Sequence, residues 1–267
     1  GHTQPIQNRA RSAMIEIILA HLTSPFSLIV LVVVFVTGIV RGFSGFGSGM
    51  IIGPITAALF TPQFAIGLIS IVDSIPTTKM VWGARKQVVW HQVVPIVAGY
   101  VALMPLGIWV LKSSDPIALR WFISVSICIA VVLLWSGWKY NGPRSKPVSF
   151  GIGATGGFMG ASAAIPGPPI LIYWMSGRDP AATIRANMIY YLFLSDVFVI
   201  IGYFVSDIFT QQSVSLGILA SPGYFVGLII GTSYFKGASE KTYRTIAFLM
   251  ILLAVLASLP VLDDFLR

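Results

Sequence analysis

Eight apolar runs follow one another along the chain, at roughly 26–60, 63–83, 92–111, 117–138, 148–175, 181–206, 214–235 and 243–260. Only short polar gaps separate them. A helix needs about 20 apolar residues to cross a bilayer, and most of these runs reach that length. None shows the two-residue alternation of a barrel strand, so they read as helices. The gaps hold most of the charges, among them Arg85 and Lys86, Lys139, Arg144 and Lys146, and Lys236, Glu240, Lys241 and Arg244. Hydrophobic residues make up 56% of the 267 and charged residues 10%, where soluble domains carry about 25% charged. A water-soluble globule is excluded, and the fold class is an all-α polytopic membrane protein. The net charge of +8 is explained by loop topology and lipid head groups rather than by nucleic acid, for which no basic and aromatic patch is long enough.

The start of the chain is different in kind. Gly1-His2 with no initiator Met reads as the scar of a cleaved tag, and residues 3–13 are polar. Residues 14–22 (MIEIILAHL) form a short amphipathic stretch suited to lie in the membrane interface. Residues 1–22 are therefore set apart, and no cleavable signal is read. The single cysteine, Cys128, excludes an intrachain disulfide or a thiolate metal cluster.

The rest divides into two halves, 26–140 and 146–260, at a polar gap containing Gly142-Pro143. Gly38, Gly42, Phe43, Gly45 and Pro54 are matched 115 positions on by Gly153, Gly157, Phe158, Gly160 and Pro169. Further along, Gly107, Lys112 and Arg120 are matched 124 positions on by Gly231, Lys236 and Arg244. So many special residues at near-constant offset indicate an internal duplication, a frequent plan in transporters.

The first run of each half is interrupted. Small residues recur every three or four positions around Gly42, Gly45, Gly49 and Gly53, which suits close helix packing. Packing does not explain Pro54, or Pro166-Gly167-Pro168-Pro169, at matched depth, because proline deletes a backbone donor and clashes with the preceding turn. Irregular backbone at membrane depth is tolerated only against protein or a water-filled cavity. The pattern predicts two discontinuous or re-entrant helices whose half-helix N-termini form an anion site. Its donors would be the backbone N–H groups of Gly47, Ser48 and Gly49 and of Ser162, Ala163, Ala164 and Ile165, with the Ser48 and Ser162 hydroxyls. Pro166, Gly167 and the two following prolines would hold the second break open.

Five ionisable residues fall inside apolar runs: Arg41, Asp73, Lys79, Arg185 and Asp196. Each costs about 2.5–3.5 kcal/mol on insertion scales, so such residues usually carry function. Arg185 follows the second break and is the principal counter-charge in this reading, since its planar fork suits a sulfonate, sulfite or carboxylate. Asn187 and Tyr190 would add neutral donors. Arg41 is a second anion ligand or an interfacial anchor, and Lys79 snorkels. Asp73 and Asp196 are the only carboxylates deep enough to carry a coupling proton.

Enzyme motifs fail on context. Gly42-Phe43-Ser44-Gly45 has the form of an intramembrane serine protease motif, but no later membrane helix carries a histidine base. Gly151-Ile-Gly153-Ala-Thr-Gly156 has the letters of a dinucleotide fingerprint without the preceding strand. No metal or cofactor site is read.

With the twin glycine-rich segments, the Ile165-Pro166-Gly167-Pro168-Pro169 break and Arg185-Ala186-Asn187 opening the next helix on the page, residues 26–260 resemble the TauE/SafE family of sulfite exporters. The short basic connection at Arg85, Lys86 and Trp90 is also similar. The resemblance implies a bacterial inner-membrane permease for sulfur-containing anions such as sulfite or organosulfonates, coupled to the proton gradient. A passive anion channel and a non-transporting membrane scaffold stay open beside it, as do a homo-oligomer and the direction of transport. If both broken segments are re-entrant, the halves are inverted and basic loops gather on one side, 9 to 5, which the positive-inside rule favours over parallel halves.

Overall fold

The computed structural model describes residues 16–44, 47–234 and parts of the last apolar run: 249, 251–253, 255, 256, 259 and 260. The polar leader, Gly45 and the gap around Lys236 and Arg244 lie outside the described residues. All described regular structure is helical: α1 (residues 16–23), α2 (Pro25–Ser44), α3 (Ser48–Leu59), α4 (Pro62–Ala84), α5 (Trp90–Ser113), α6 (Pro116–Ser136), α7 (Lys146–Ala163), α8 (Gly167–Met175), α9 (Ala181–Val205) and α10 (Gln211–Tyr234). Residues 251–253 are helical as well.

Proline opens several of these helices, at the position where its missing N–H costs nothing. Pro62 and Pro116 are each preceded by a side-chain cap: the Thr61 hydroxyl accepts from the N–H of Phe64, and Asp115 from those of Ile117 and Ala118. Gly137, at φ 67°, ends α6 in the left-handed conformation. Among the described helices α2, α5, α6, α9 and α10 are long and apolar enough to cross a membrane by themselves.

The first apolar run of each half breaks into two helices, and contacts between residues on either side of each break give its path. Phe26, at the start of α2, packs edge-on against Phe60, just past the end of α3, with centroids 6.4 Å apart. Ser149 in the first turn of α7 shares a hydrogen bond of 2.8 Å with the Tyr173 hydroxyl near the end of α8. Arg144 donates to the Tyr173 and Trp174 carbonyls, covering the C-terminus of α8 with a cation. Each broken pair is thus a hairpin that leaves by the end it entered.

The hairpins enter from opposite ends. Gln63, opening α4, donates to the Leu111 carbonyl at the end of α5, and Lys112 donates to that of Ser206 after α9. The starts of α2, α4 and α10 therefore share one end with the finishes of α5 and α9. The N–H of Val89 donates to Asn187, and Gln92 to Asp179, which gathers the starts of α5 and α9 at the other end with the α7–α8 mouth.

Two crossings build the frame: α2 runs parallel to α10, and α5 parallel to α7. Glycine permits both. A Cβ on Gly99 would overlap the Phe150 carbonyl, and one on Gly231 that of Ile39. The backbones touch as in other small-residue membrane crossings. The core lies beside these seams, with Ile96, Tyr100, Tyr191 and Trp174 in one cluster and Val30, Val34, Leu68 and Tyr224 in another.

Candidate functional site

The two hairpin tips meet. A Cβ on Gly49, in the first turn of α3, would overlap the Ala164 carbonyl in the second break. Where they meet, a cavity of about 60 Å³ is lined by Arg41, Gly47, Ser48 and Gly49 of the first hairpin and by Gly160 and Ala164–Pro168 of the second. Ser70 and Asp73 of α4, Tyr100 of α5, and Leu192, Asp196, Val199 and Tyr203 of α9 complete the wall.

Backbone conformation sets the tips. Gly47 stands at φ 97°, a left-handed turn that any side chain would strain. Ala164 takes φ 57° and turns the chain out of α7. Its N–H bonds back to the Gly160 carbonyl, and that of Ile165 to the Met159 carbonyl. Helix α9 braces both sides of the break, where Tyr203 donates to the Ala161 carbonyl at the end of α7 and Tyr191 to that of Pro166 before α8. Pro168 and Pro169 occupy the first turn of α8 without a donor between them, so Gly167 supplies the backbone N–H there.

A buried charge cluster forms one wall. Arg41, 6% exposed, donates through Nη1 to the Ser48 hydroxyl at 2.7 Å and pairs with Asp73 Oδ2 at 3.0 Å. Ser48 donates to the same carboxylate oxygen at 2.5 Å, and the Tyr224 hydroxyl to Oδ1 at 2.5 Å. Asp73 thus holds donors from α2, α3 and α10. Asp196 lines the facing wall and makes no hydrogen bond or ion pair among the described residues.

Of the residues singled out in the sequence, Arg41, Gly47, Ser48, Gly49, Asp73, Ala164, Ile165, Pro166, Gly167 and Asp196 border this cavity. Arg185 does not. It is exposed in the second turn of α9, seven residues before Leu192, the first α9 residue of the wall. At 1.5 Å per residue that is about 10 Å of helix. Asn187 is buried but turned to the start of α5, accepting from Val89 and donating to Gln92. Tyr190 packs edge-on against Trp90 with centroids 5.0 Å apart. Ser162 spends its hydroxyl on the Phe158 carbonyl, and Ala163 is buried beside it. The N–H groups of Ala164 and Ile165 are likewise taken internally, so these two border the cavity without offering the donors expected of them. Ser70, Tyr100, Tyr203 and Tyr224 were not singled out. They reach the site across helix crossings, and for Tyr100 and Tyr224 the signal was available, since they stand 124 positions apart like Gly107 and Gly231.

A broken-helix cavity holding an arginine and two carboxylates in an apolar bundle is the frame of a membrane carrier, and the family model for the sulfite exporter TauE/SafE matches residues 30–258. The chain belongs to the TauE/SafE sulfite exporter family. The second hairpin, the first from residue 30 onward and the whole cavity wall fall within the matched residues. No curated protein and no solved structure matches the chain. TauE/SafE membership makes this a membrane transport protein, with a lipid bilayer and a small anion as its surroundings and cargo.

Proposed function

We propose that the chain is a proton-coupled secondary transporter of a small sulfur oxyanion, built from two inverted repeats at 26–140 and 146–260, with the cavity between the hairpin tips as its binding site. The observation that carries this is Arg41. A buried guanidinium at a cavity wall, beside the Asp73 carboxylate and the Ser48 hydroxyl, supplies the counter-charge that the sequence alone assigned to Arg185. Ser48, Gly49 and Gly167 add donors at two helix N-termini, whose dipoles favour an anion.

Charge arithmetic supports coupling. Arg41 faces Asp73 and Asp196, so the ionised cluster carries one net negative charge and repels an anion. One proton on either carboxylate neutralises it, and the anion then enters with that proton. Volume supports a small cargo. One water fills about 10–15 Å³ of such space, so about 60 Å³ takes about four to six water-sized groups. Sulfite has four heavy atoms; a two-carbon aminosulfonate has seven and would require the hairpins to part.

The test is flux and binding in proteoliposomes for sulfite, sulfate, a two-carbon sulfonate, a similar carboxylate and chloride. Saturable, pH-gradient-driven sulfite flux that falls at least a hundredfold in Arg41→Gln, and far less in Arg185→Gln, is the expected result. Flux unaffected by Arg41→Gln overturns the site. Flux indifferent to Asp73→Asn and Asp196→Asn at every pH makes the protein a channel, and no flux of any anion leaves a scaffold.

A further inference from the structure

The two backbone crossings are the same contact in different registers. On α7 and α5, Gly153 faces the Ile96 carbonyl and Gly157 that of Tyr100, while Gly99 faces the carbonyl of Phe150 and the N–H of Ala154. On α2 and α10, Gly38 faces the Tyr224 carbonyl and Gly42 that of Leu228, while Gly227 faces the carbonyl of Phe35 and the N–H of Ile39. Phe35 and Ile39 stand 115 positions before Phe150 and Ala154, so the α2 partners correspond one to one. Their α10 partners do not. Gly99 and Tyr100 correspond to Gly223 and Tyr224, 124 positions on. Gly227 occupies the place that this correspondence gives to Gly223. All four glycine contacts shift the same way, by four residues, and Gly231 on Ile39 against Gly107 on Phe158 repeats the shift. The first hairpin is therefore seated one helical turn deeper along α10 than the second is along α5.

Gly223 has no role in the present seat: a Cβ there would meet nothing within 4 Å. In the shallower seat it would take the Phe35 carbonyl, as Gly99 takes that of Phe150. The shallower seat also places Gly38 on Ala220, Gly42 on Tyr224 and Gly231 on Phe43, so every close approach again falls on a glycine. The second hairpin has no such choice, because Leu103 stands where α10 has Gly227 and would drive its side chain into the α7 backbone.

We infer that Gly223 marks a second seat for the α2–α3 hairpin, and that this hairpin slides one turn along α10 during transport while α7–α8 stays fixed on α5. One-turn ratchets between packed helices are known switching elements. The slide draws Arg41 about 5 Å along the helix axis, away from Asp73 on α4, while Tyr224 keeps its hold on the carboxylate. Arg41 pairs with Asp73 in one seat and turns to the anion in the other. This rests on the transporter reading above for its purpose, though not for its geometry.

Gly223→Ala separates the seats. The deep seat accommodates the added methyl group and the shallow seat does not. Thermal stability and sulfite affinity should match the parent while turnover falls at least tenfold. Spin labels at the exposed Ile29 of α2 and Thr232 of α10, with Cys128→Ser, should give two distance populations about 5 Å apart in the parent and one in Gly223→Ala. Parent-like turnover in Gly223→Ala, or one population in both proteins, overturns the slide. If the parent carries no anion, the transporter reading fails, and the label distances still decide the slide alone.

Discussion

Single residues at the cavity have opposite consequences on its two sides. Removing the charge of Asp73 breaks its buried ion pair with Arg41, and breaking a buried pair on one side costs about 3–5 kcal/mol. Asp73→Asn should therefore unfold at lower temperature in detergent, whereas Asp196→Asn, which loses no ion pair or hydrogen bond, should not. A thermal melt of both variants by tryptophan fluorescence checks the contrast. Glycines divide just as clearly. Gly99→Ala forces a methyl group into the Phe150 carbonyl and should cost about 1–3 kcal/mol or more. Gly151→Ala, on an open face of α7, should be neutral or stabilise by about 0.5–1 kcal/mol, and the same melt reads both.

Among the elements, the second break was legible because Pro166-Gly167-Pro168-Pro169 admits few backbones, whereas the first falls at Gly47, and Pro54, which was read as part of it, lies inside α3. The residues at the tips followed from that, and most of the expected cradle borders the cavity. Arg185 lies away from the cavity for a physical reason: closeness to the break along the chain says nothing about depth. The α8 segment returns to the end it came from, so the first turns of α9 lie back at the mouth of the hairpin. Nor could spacing show that Ala164 and Ile165 would spend their N–H groups on closing α7. The helix α1 offers a separate test. His21 accepts or donates at Ser27 and Ser215, 3.3 and 2.8 Å away, tying α1 to the starts of α2 and α10. Burial pushes its pKa below the ordinary 6.5, so the docked form favours neutral imidazole. Docking is at full strength above pH 6.5 and weakens as pH falls and the released side chain takes up a proton. Protection of residues 16–23 against amide exchange, taken relative to the intrinsic rate at each pH, should fall as pH drops below 6.5 and lose that dependence in His21→Gln.

On the scale of the molecule, the hairpin geometry groups Arg85, Lys86, Lys139, Arg144, Lys146 and Arg178 at one end and leaves Lys112 and Arg120 toward the other. The positive-inside rule predicts that the first group faces the cytoplasm. An impermeant maleimide added to intact cells should label Gln211→Cys and spare Lys139→Cys in a Cys128→Ser background; the reverse pattern inverts the orientation.

The pairing of α2 with α10 also sets a timetable. Helix α7 meets its partner α5 soon after it is made, but Gly38 waits for Tyr224, 186 residues later in the chain. At 5–20 residues per second, the first hairpin spends about 10–40 seconds in the membrane with its glycine face uncovered. For that interval the nascent protein is half assembled, with Asp73 still lacking its Tyr224 partner. A chaperone or insertase with an apolar groove has its opportunity there, and a chain stopped before Gln211 should hold α5 against α7 while leaving α2 open to cross-linking by lipid.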